Sequence, residues 1–176
     1  MCYIAVDIGV KHFAYAVINN KEQSSLDPQG DNDISDFNII ELNKNNNVLI
    51  NDLIKWFKKF KNVKTVIIEQ QVKNNVKALI IQNIIMTICK LKGIDYYVFN
   101  PKLKFKLMGE SMKLNYKERK QKSIDYIIMY FNKYNLIEMK LKFMRFIKKD
   151  DVADALNMGL MYLYGLESKK IIEVYK

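Results

Sequence analysis

Cys2-Tyr3-Ile4-Ala5-Val6-Asp7-Ile8-Gly9 is the stretch from which the fold can be read. It is a run of β-favouring residues that carries one carboxylate, Asp7, near its C-terminal end and stops on a glycine. A charge in an otherwise apolar strand is costly to bury unless it is paired or holds a metal. Two later stretches repeat the oddity. Val63-Lys64-Thr65-Val66-Ile67-Ile68-Glu69 is a second apolar strand ending in an acid, and Asp150-Asp151-Val152-Ala153-Asp154-Ala155-Leu156 opens a helix with acids on an apolar face. The three stretches are expected to bring their carboxylates together as one divalent-metal site.

Outward from that strand, residues 12–19 form a second apolar run, joined to the first by Gly9-Val10-Lys11 as a hairpin. His12 starts this second strand. Residues 20–35 are polar, contain Pro28 and Gly30, and read as a loop before an edge strand from Phe37 to Leu42. Leu49, Leu53, Ile54, Phe57 and Phe60 recur at helical spacing and predict a helix over about 48–60. Val63–Glu69 is short and β-branched, as a buried parallel strand should be. Residues 75–92 are helical but apolar nearly all round, and Gly93 stops them. Such a helix needs cover on more than one side; the sheet supplies one, and a second protomer or the protein's own core supplies the other. Ile94 to Phe99 predicts a fifth strand. A basic loop then spans 102–117, a helix 118–132, a basic connector 133–149 and a last helix 151–164. The tail from Leu166 has no clear period. The order βββαβαβ followed by helices predicts an α/β fold, a mixed five-stranded sheet with helices against it, in one domain over residues 1–176.

The chain has 176 residues and a formal net charge of +10, from 29 Lys+Arg against 19 Asp+Glu. That excess points to a polyanionic partner. All the basic residues but Arg119 and Arg145 are lysines, which suits phosphate contact better than base reading. Abundant lysine and asparagine are also what an AT-rich genome would produce. Cys2 and Cys89 show no pairing pattern and fit a reducing compartment. The start of the chain has no secretory signal pattern, and no run of about 18 apolar residues predicts a membrane span. A single histidine, His12, excludes mechanisms that need two, most zinc sites among them.

Hard divalent ions such as Mg²⁺ take oxygen ligands. Phosphodiester cleavage with two such ions, roughly 3.5–4 Å apart, uses a bridging carboxylate flanked by others. Asp7, on a stiff central strand, suits the bridge, and Glu69 at a neighbouring strand end can meet it. Asp151 and Asp154 share one helix face, while Asp150 is placed to cap the helix. Alone, a strand-end acid is often a solvated terminus, and acids at a helix start usually compensate its dipole. The small apolar residues around Asp151 and Asp154 argue instead that this face lies against the core.

In order and spacing, Ala5-Val6-Asp7-Ile8-Gly9, Ile67-Ile68-Glu69-Gln70-Gln71 and Asp151-Val152-Ala153-Asp154-Ala155-Leu156 resemble the signatures of RuvC-like Holliday-junction resolvases of the RNase H superfamily. The Ile-Glu-Gln-Gln form and the run Tyr116-Lys117-Glu118-Arg119-Lys120-Gln121-Lys122-Ser123 look closest to the resolvases of poxviruses and other large DNA viruses. The resemblance implies an RNase H-like fold and Asp7, Glu69, Asp151 and Asp154 as catalytic, metal-binding acids. It further implies two Mg²⁺ ions, for which Mn²⁺ can substitute, and a homodimer that nicks four-way or branched DNA symmetrically to leave 5′-phosphate and 3′-hydroxyl ends. A viral protein of this kind would work at a replication site in the host cytoplasm. The dimer contact is expected through helix 75–92. Lys113, Lys117, Arg119, Lys120, Lys122, Lys142, Arg145 and Lys148 are expected to follow the DNA phosphates. Phe105, Tyr116, Phe143 and Phe146 read either as core or as platforms for exposed bases. Other readings are a nuclease of the same scaffold acting on flaps, branched DNA or RNA–DNA hybrids, a sugar-kinase-type phosphotransferase, for which the chain is too short, and a non-catalytic DNA-binding module. The insert 20–35 and the connector 133–149 depart from the bacterial relatives.

Overall fold

A computed structural model describes residues 1–20, 32–43, 45–103 and 114–166. Its strands are β1 (Cys2–Ile8), β2 (His12–Asn20), β3 (Asn32–Glu41), β4 (Val63–Glu69) and β5 (Asp95–Phe99). Its helices are α1 (Asn46–Phe57), α2 (Val76–Lys92), α3 (Tyr116–Lys133), α4 (Ile137–Met144) and α5 (Lys149–Leu166). The five strands lie in the order β3-β2-β1-β4-β5. The β1–β2 and β2–β3 pairs are antiparallel, and β1–β4 and β4–β5 are parallel. A short connection between β1 and β2 suits their antiparallel pairing, and the α2 crossover between β4 and β5 suits their parallel one.

β1 is central and buried on both faces. Its Ile4, Val6 and Ile8 point, with Val66 and Ile68 of β4, into a core roofed by α1 and α2. Trp56 of α1 anchors that layer edge-on against Phe13, Tyr15 and Phe57. Tyr3 and Ala5 point the other way, with Ile67, beneath α3, α4 and α5. On that face Ala5, Ala14 and Ala16 leave room for α5 to lie close. A Cβ added at Gly159 would sit 2.5 Å from the Ile18 Cδ1 atom and 3.1 Å from the Ala5 Cβ atom, so glycine sets how deep the helix sits. Gly9 is needed for a similar reason, since a Cβ there would meet the His12 carbonyl oxygen at 2.3 Å.

Caps fix the helices that carry the site. The Asn75 side chain accepts from the Ala78 N–H at the start of α2, and Gly93, at φ 64°, ends it in the left-handed conformation. Asn115 and Glu118 form a reciprocal capping box at the start of α3, with bonds of 3.0 and 2.7 Å.

The sequence reading needs correction in three places. β3 begins at Asn32, well before Phe37; an edge strand paired on one side tolerates the polar Ser35 and Asp36. The connector 133–149 contains α4. Its lysines hid a helix pinned by Phe143, which is buried against Phe37 and Phe131. α5 starts at Lys149, so Asp150 lies in its first turn instead of capping it. Phe105 and Lys113 lie outside the described residues.

Candidate metal and nuclease site

The β1–β4 register pairs Val6 with Ile68, so the next residues, Asp7 and Glu69, are neighbours. Residues adjacent across parallel strands point to the same face, and here it is the face beneath α5. Glu69 lies close enough to Asp7 to raise its carboxyl by charge and by hydrogen bonding. Asp7 is 8 % exposed, and Glu69 is half-buried. Glu69 is steadied by Gln71, whose Nε2 donates to the Glu69 carbonyl oxygen at 3.1 Å and to its Oε2 at 3.4 Å. The Gln71 N–H in turn donates to Gln82 Oε1 on α2 at 2.8 Å.

The second pair comes down on the first from α5. Asp154, 5 % exposed, lies close enough to Asp7 for their charges to interact, while Asp151, three residues earlier, is half-buried beside Lys120. Between them sits Lys120 from α3. Its Nζ lies 3.0 Å from Asp154 Oδ2, 3.4 Å from Asp150 Oδ2 and 3.5 Å from Asp151 Oδ1. Lys120 and Ser123 share the face of α3 that continues into Ile127 and Tyr130, both buried. That periodicity is the signal marking this lysine as inward-facing, and a reading of charge alone passes over it. Ser123 Oγ donates to Asp154 Oδ1 at 2.5 Å.

Electrostatically the cluster carries a surplus of negative charge. Burial holds the Asp7 carboxyl well above the usual range, the charges of Glu69 and Asp154 and the bond to Glu69 push it further, and Lys120 only partly opposes them. Asp151 is raised by burial and by Asp150, against a lowering by Lys120. Burial alone would depress Lys120, but Asp154 and Asp7 outweigh it and hold the ammonium firmly protonated. Among the described residues no group of three or more acidic, histidine or cysteine side chains is disposed, as it stands, to hold a metal ion; the Lys120 ammonium lies among the aspartates. The donor set nonetheless fits hard divalent ions. It is all oxygen, it is built on rigid elements, and a single monocation balances five formal carboxylates.

The predicted cationic residues divide. Lys120 belongs to the acidic cluster. The Lys142 ammonium pairs with Asp36 Oδ1 at 2.5 Å and lies 4.7 Å from the Phe37 ring centroid, tying α4 to β3. Lys117, Arg145 and Lys148 are exposed, and Arg119 and Lys122 are half-buried. Of the aromatic candidates, Phe143 is core and Phe146 packs on Phe37. Tyr116 is exposed, with the Lys120 Nζ 5.8 Å from its ring centroid.

A five-stranded mixed sheet with helices on both faces and acids gathered at the C-terminal ends of β1 and β4 defines an RNase H-like protein of the RuvC type. The sequence matches the Poxvirus A22 protein family over residues 1–167, and the chain belongs to that family. Two solved structures of fowlpox virus Holliday junction resolvase are similar to it. One, a complex with substrate Holliday junction DNA, has a TM-score of 0.73 at 25 % identity; the other has 0.65 at 26 %. Each match covers 94 % of this chain and 99 % of the fowlpox chain. RuvC from Thermus thermophilus shares the fold with a TM-score of 0.62 at 12 % identity, over 95 % of this chain and 96 % of that one. Comparison with curated proteins gives no match.

Proposed function

We propose that this protein is a Holliday-junction-resolving endonuclease, one nuclease domain that cuts four-way DNA by metal-dependent phosphodiester hydrolysis. The observation that carries the reading is the buried Asp7, whose carboxyl interacts with Glu69 and Asp154, beside a Lys120 that bridges Asp150, Asp151 and Asp154. Family membership and the likeness to fowlpox resolvase, solved with its junction substrate, support it.

In this reading Asp7, Glu69, Asp151 and Asp154 hold two Mg²⁺ ions, with Mn²⁺ able to replace them. Bound there, such ions supply Lewis acidity and make water nucleophilic at neutral pH. The chain's own part is to fix the donors. β1 mounts Asp7, Gln71 steadies Glu69, and the first turns of α5 aim Asp151 and Asp154. The Lys120 ammonium neutralises the aspartates before cations arrive and remains close enough to face a scissile phosphate. Lys117, Arg119, Lys122, Arg145 and Lys148 would follow the DNA backbone.

A junction has approximate two-fold symmetry, so an isologous dimer can set two sites on opposing strands. The outer face of α2 suits that contact: Val76, Ile80 and Leu91 are exposed along one stripe, Leu91 at 82 %. No described helix is long and apolar enough to cross a membrane, and Cys2 and Cys89 are free thiols, which fits work in a reducing compartment such as the host cytoplasm.

The test is a synthetic mobile four-way junction incubated with and without Mg²⁺ and resolved strand by strand. Paired nicks in opposing strands, only with metal, are expected. Absence of nicking with either Mg²⁺ or Mn²⁺ would overturn the reading, as would preference for a flap or an RNA–DNA hybrid.

A further inference from the structure

Ser123 of α3 and Asn157 of α5 are both fully buried where the two helices meet, in a core whose members from those helices include Ile127, Val152, Ala153 and Leu156. Two alanines would serve that helix–helix contact, since replacing both partners of a buried hydrogen bond with apolar groups is close to neutral. The polar pair therefore needs a reason, and its geometry supplies one. Asn157 Nδ2 donates to the Ser123 carbonyl oxygen at 2.9 Å and to Ser123 Oγ at 2.8 Å. A main-chain carbonyl only accepts, so the amide's NH₂ end must face Ser123. Because Ser123 Oγ accepts from the amide, its single hydrogen is left for Asp154 Oδ1, 2.5 Å away. The other oxygen of Asp154, Oδ2, is the one turned to the Lys120 ammonium at 3.0 Å.

We propose that Asn157 and Ser123 form a positioning relay for Asp154, in which Asn157 aims the Ser123 hydroxyl, and that hydroxyl pins Oδ1 so that Oδ2 faces the cation position. Neither residue touches substrate. The proposal rests on the divalent-metal reading of the site and deepens it. Groups that hold a metal-ligating side chain from behind commonly change metal affinity or activity by about 10–100-fold when removed. A residue that merely joins two helices changes thermal stability and leaves metal affinity where it was.

The experiment is direct Mn²⁺ binding to the full chain, read from the loss of the free-ion EPR signal. Melting curves with chelator and nicking over a Mn²⁺ series accompany it. Ser123→Ala should weaken Mn²⁺ binding by about 10–100-fold and move half-maximal nicking to higher Mn²⁺, with most of the rate recovered at saturation. Ser123→Thr, which keeps the hydroxyl, should recover most of the binding. Asn157→Ala should shift binding in the same direction by less. Because the amide acts through the hydroxyl, the double alanine variant should bind no worse than Ser123→Ala. Each variant is compared at a temperature where its melting curve shows it folded. Wild-type Mn²⁺ affinity in folded Ser123→Ala would overturn the relay, and so would additive losses in the double variant. A wild-type chain that binds no Mn²⁺ would overturn the metal reading itself, and the relay with it.

Discussion

Replacing Asp7 with asparagine separates two consequences of one carboxylate. In the metal-free chain Asp7 is a liability, buried against Glu69 and Asp154 with only Lys120 in compensation. Its raised pKa means that the folded state holds the proton more tightly than the unfolded chain does. Its contribution to stability is therefore fullest below the ordinary carboxylate value of 3.8. It falls as pH rises from there toward the folded-state pKa, because only the unfolded chain has released its proton. Above the folded-state pKa the loss is complete. A neutral amide of the same shape escapes that loss. Two unit charges about 4 Å apart interact by roughly 4 kcal/mol at an effective dielectric near 20. With Lys120 offsetting part of this repulsion, Asp7→Asn should stabilise the metal-free protein by about 1–3 kcal/mol at neutral pH. For a chain of this length that raises Tm by roughly 2–12 °C, and the advantage should shrink as pH is lowered toward 3.8. Divalent metal closes the gap from the other side. Wild type gains about 1.4 kcal/mol when the ion stands at about ten times its Kd, and the variant gains little. The assay is thermal melting of both proteins in chelator and in Mn²⁺ across pH, beside strand-resolved nicking, which the variant should lose. A variant less stable than wild type in chelator, or one with the full metal-induced rise, would refute this account of the site.

Lys120→Met removes the ammonium from three aspartates; breaking a buried pair costs about 3–5 kcal/mol, and partial exposure of Lys120 places the loss at the lower end. Its Tm should fall in chelator and largely recover in Mn²⁺, and an unchanged Tm in chelator would show that Lys120 does not balance the cluster. Arg145→Gln combined with Lys148→Gln should flatten the log–log salt dependence of junction binding by about 1.8, from about 0.9 per phosphate contact; an unchanged slope removes both from the DNA footprint. Ile80→Glu with Leu91→Glu should convert a dimer to a monomer in sedimentation, and a wild-type monomer at micromolar concentration would discard α2 as the interface.

The parts of the fold that were legible in the sequence are those where one physical effect dominates. β1 and β4 are buried on both faces, so they appear as continuous apolar runs, and their expected bounds match the structure closely. The acids that end them are conspicuous for the same reason, and Asp151 and Asp154 stand out because small apolar residues surround them. The start of β3 is hidden in the sequence because only Ile34 is apolar among its first five residues. α4 is hard to see in the sequence because Lys140, Lys142 and Arg145 interrupt a period that Phe143 anchors. Which lysine turns inward is a tertiary fact. Lys117, Lys120 and Lys122 look alike in composition, and only alignment with Ser123, Ile127 and Tyr130 along one face of α3 separates Lys120. The Ser123–Asn157 contact was out of reach, since it joins helices whose relative placement no local pattern encodes.

That placement explains why a cluster so crowded with like charge can persist without collapsing the fold around it. Gly159 and the alanines beneath it bring α5 close to the sheet, which sets the height at which Asp154 meets Asp7. The acids lie in the first turns of α5, where the exposed N–H groups and the helix dipole favour negative charge. Asp7 stands on the strand with the least freedom to move away. With repulsion held in place by a rigid frame, the carboxylates cannot relax by rotating apart. The energy is released when positive charge enters, first from Lys120 and then, in the reading proposed above, from divalent ions. A looser frame would make the metal-free protein more stable and the site a weaker trap for cations. The central position of β1 and the close seat of α5 are therefore requirements of the chemistry as much as of the core.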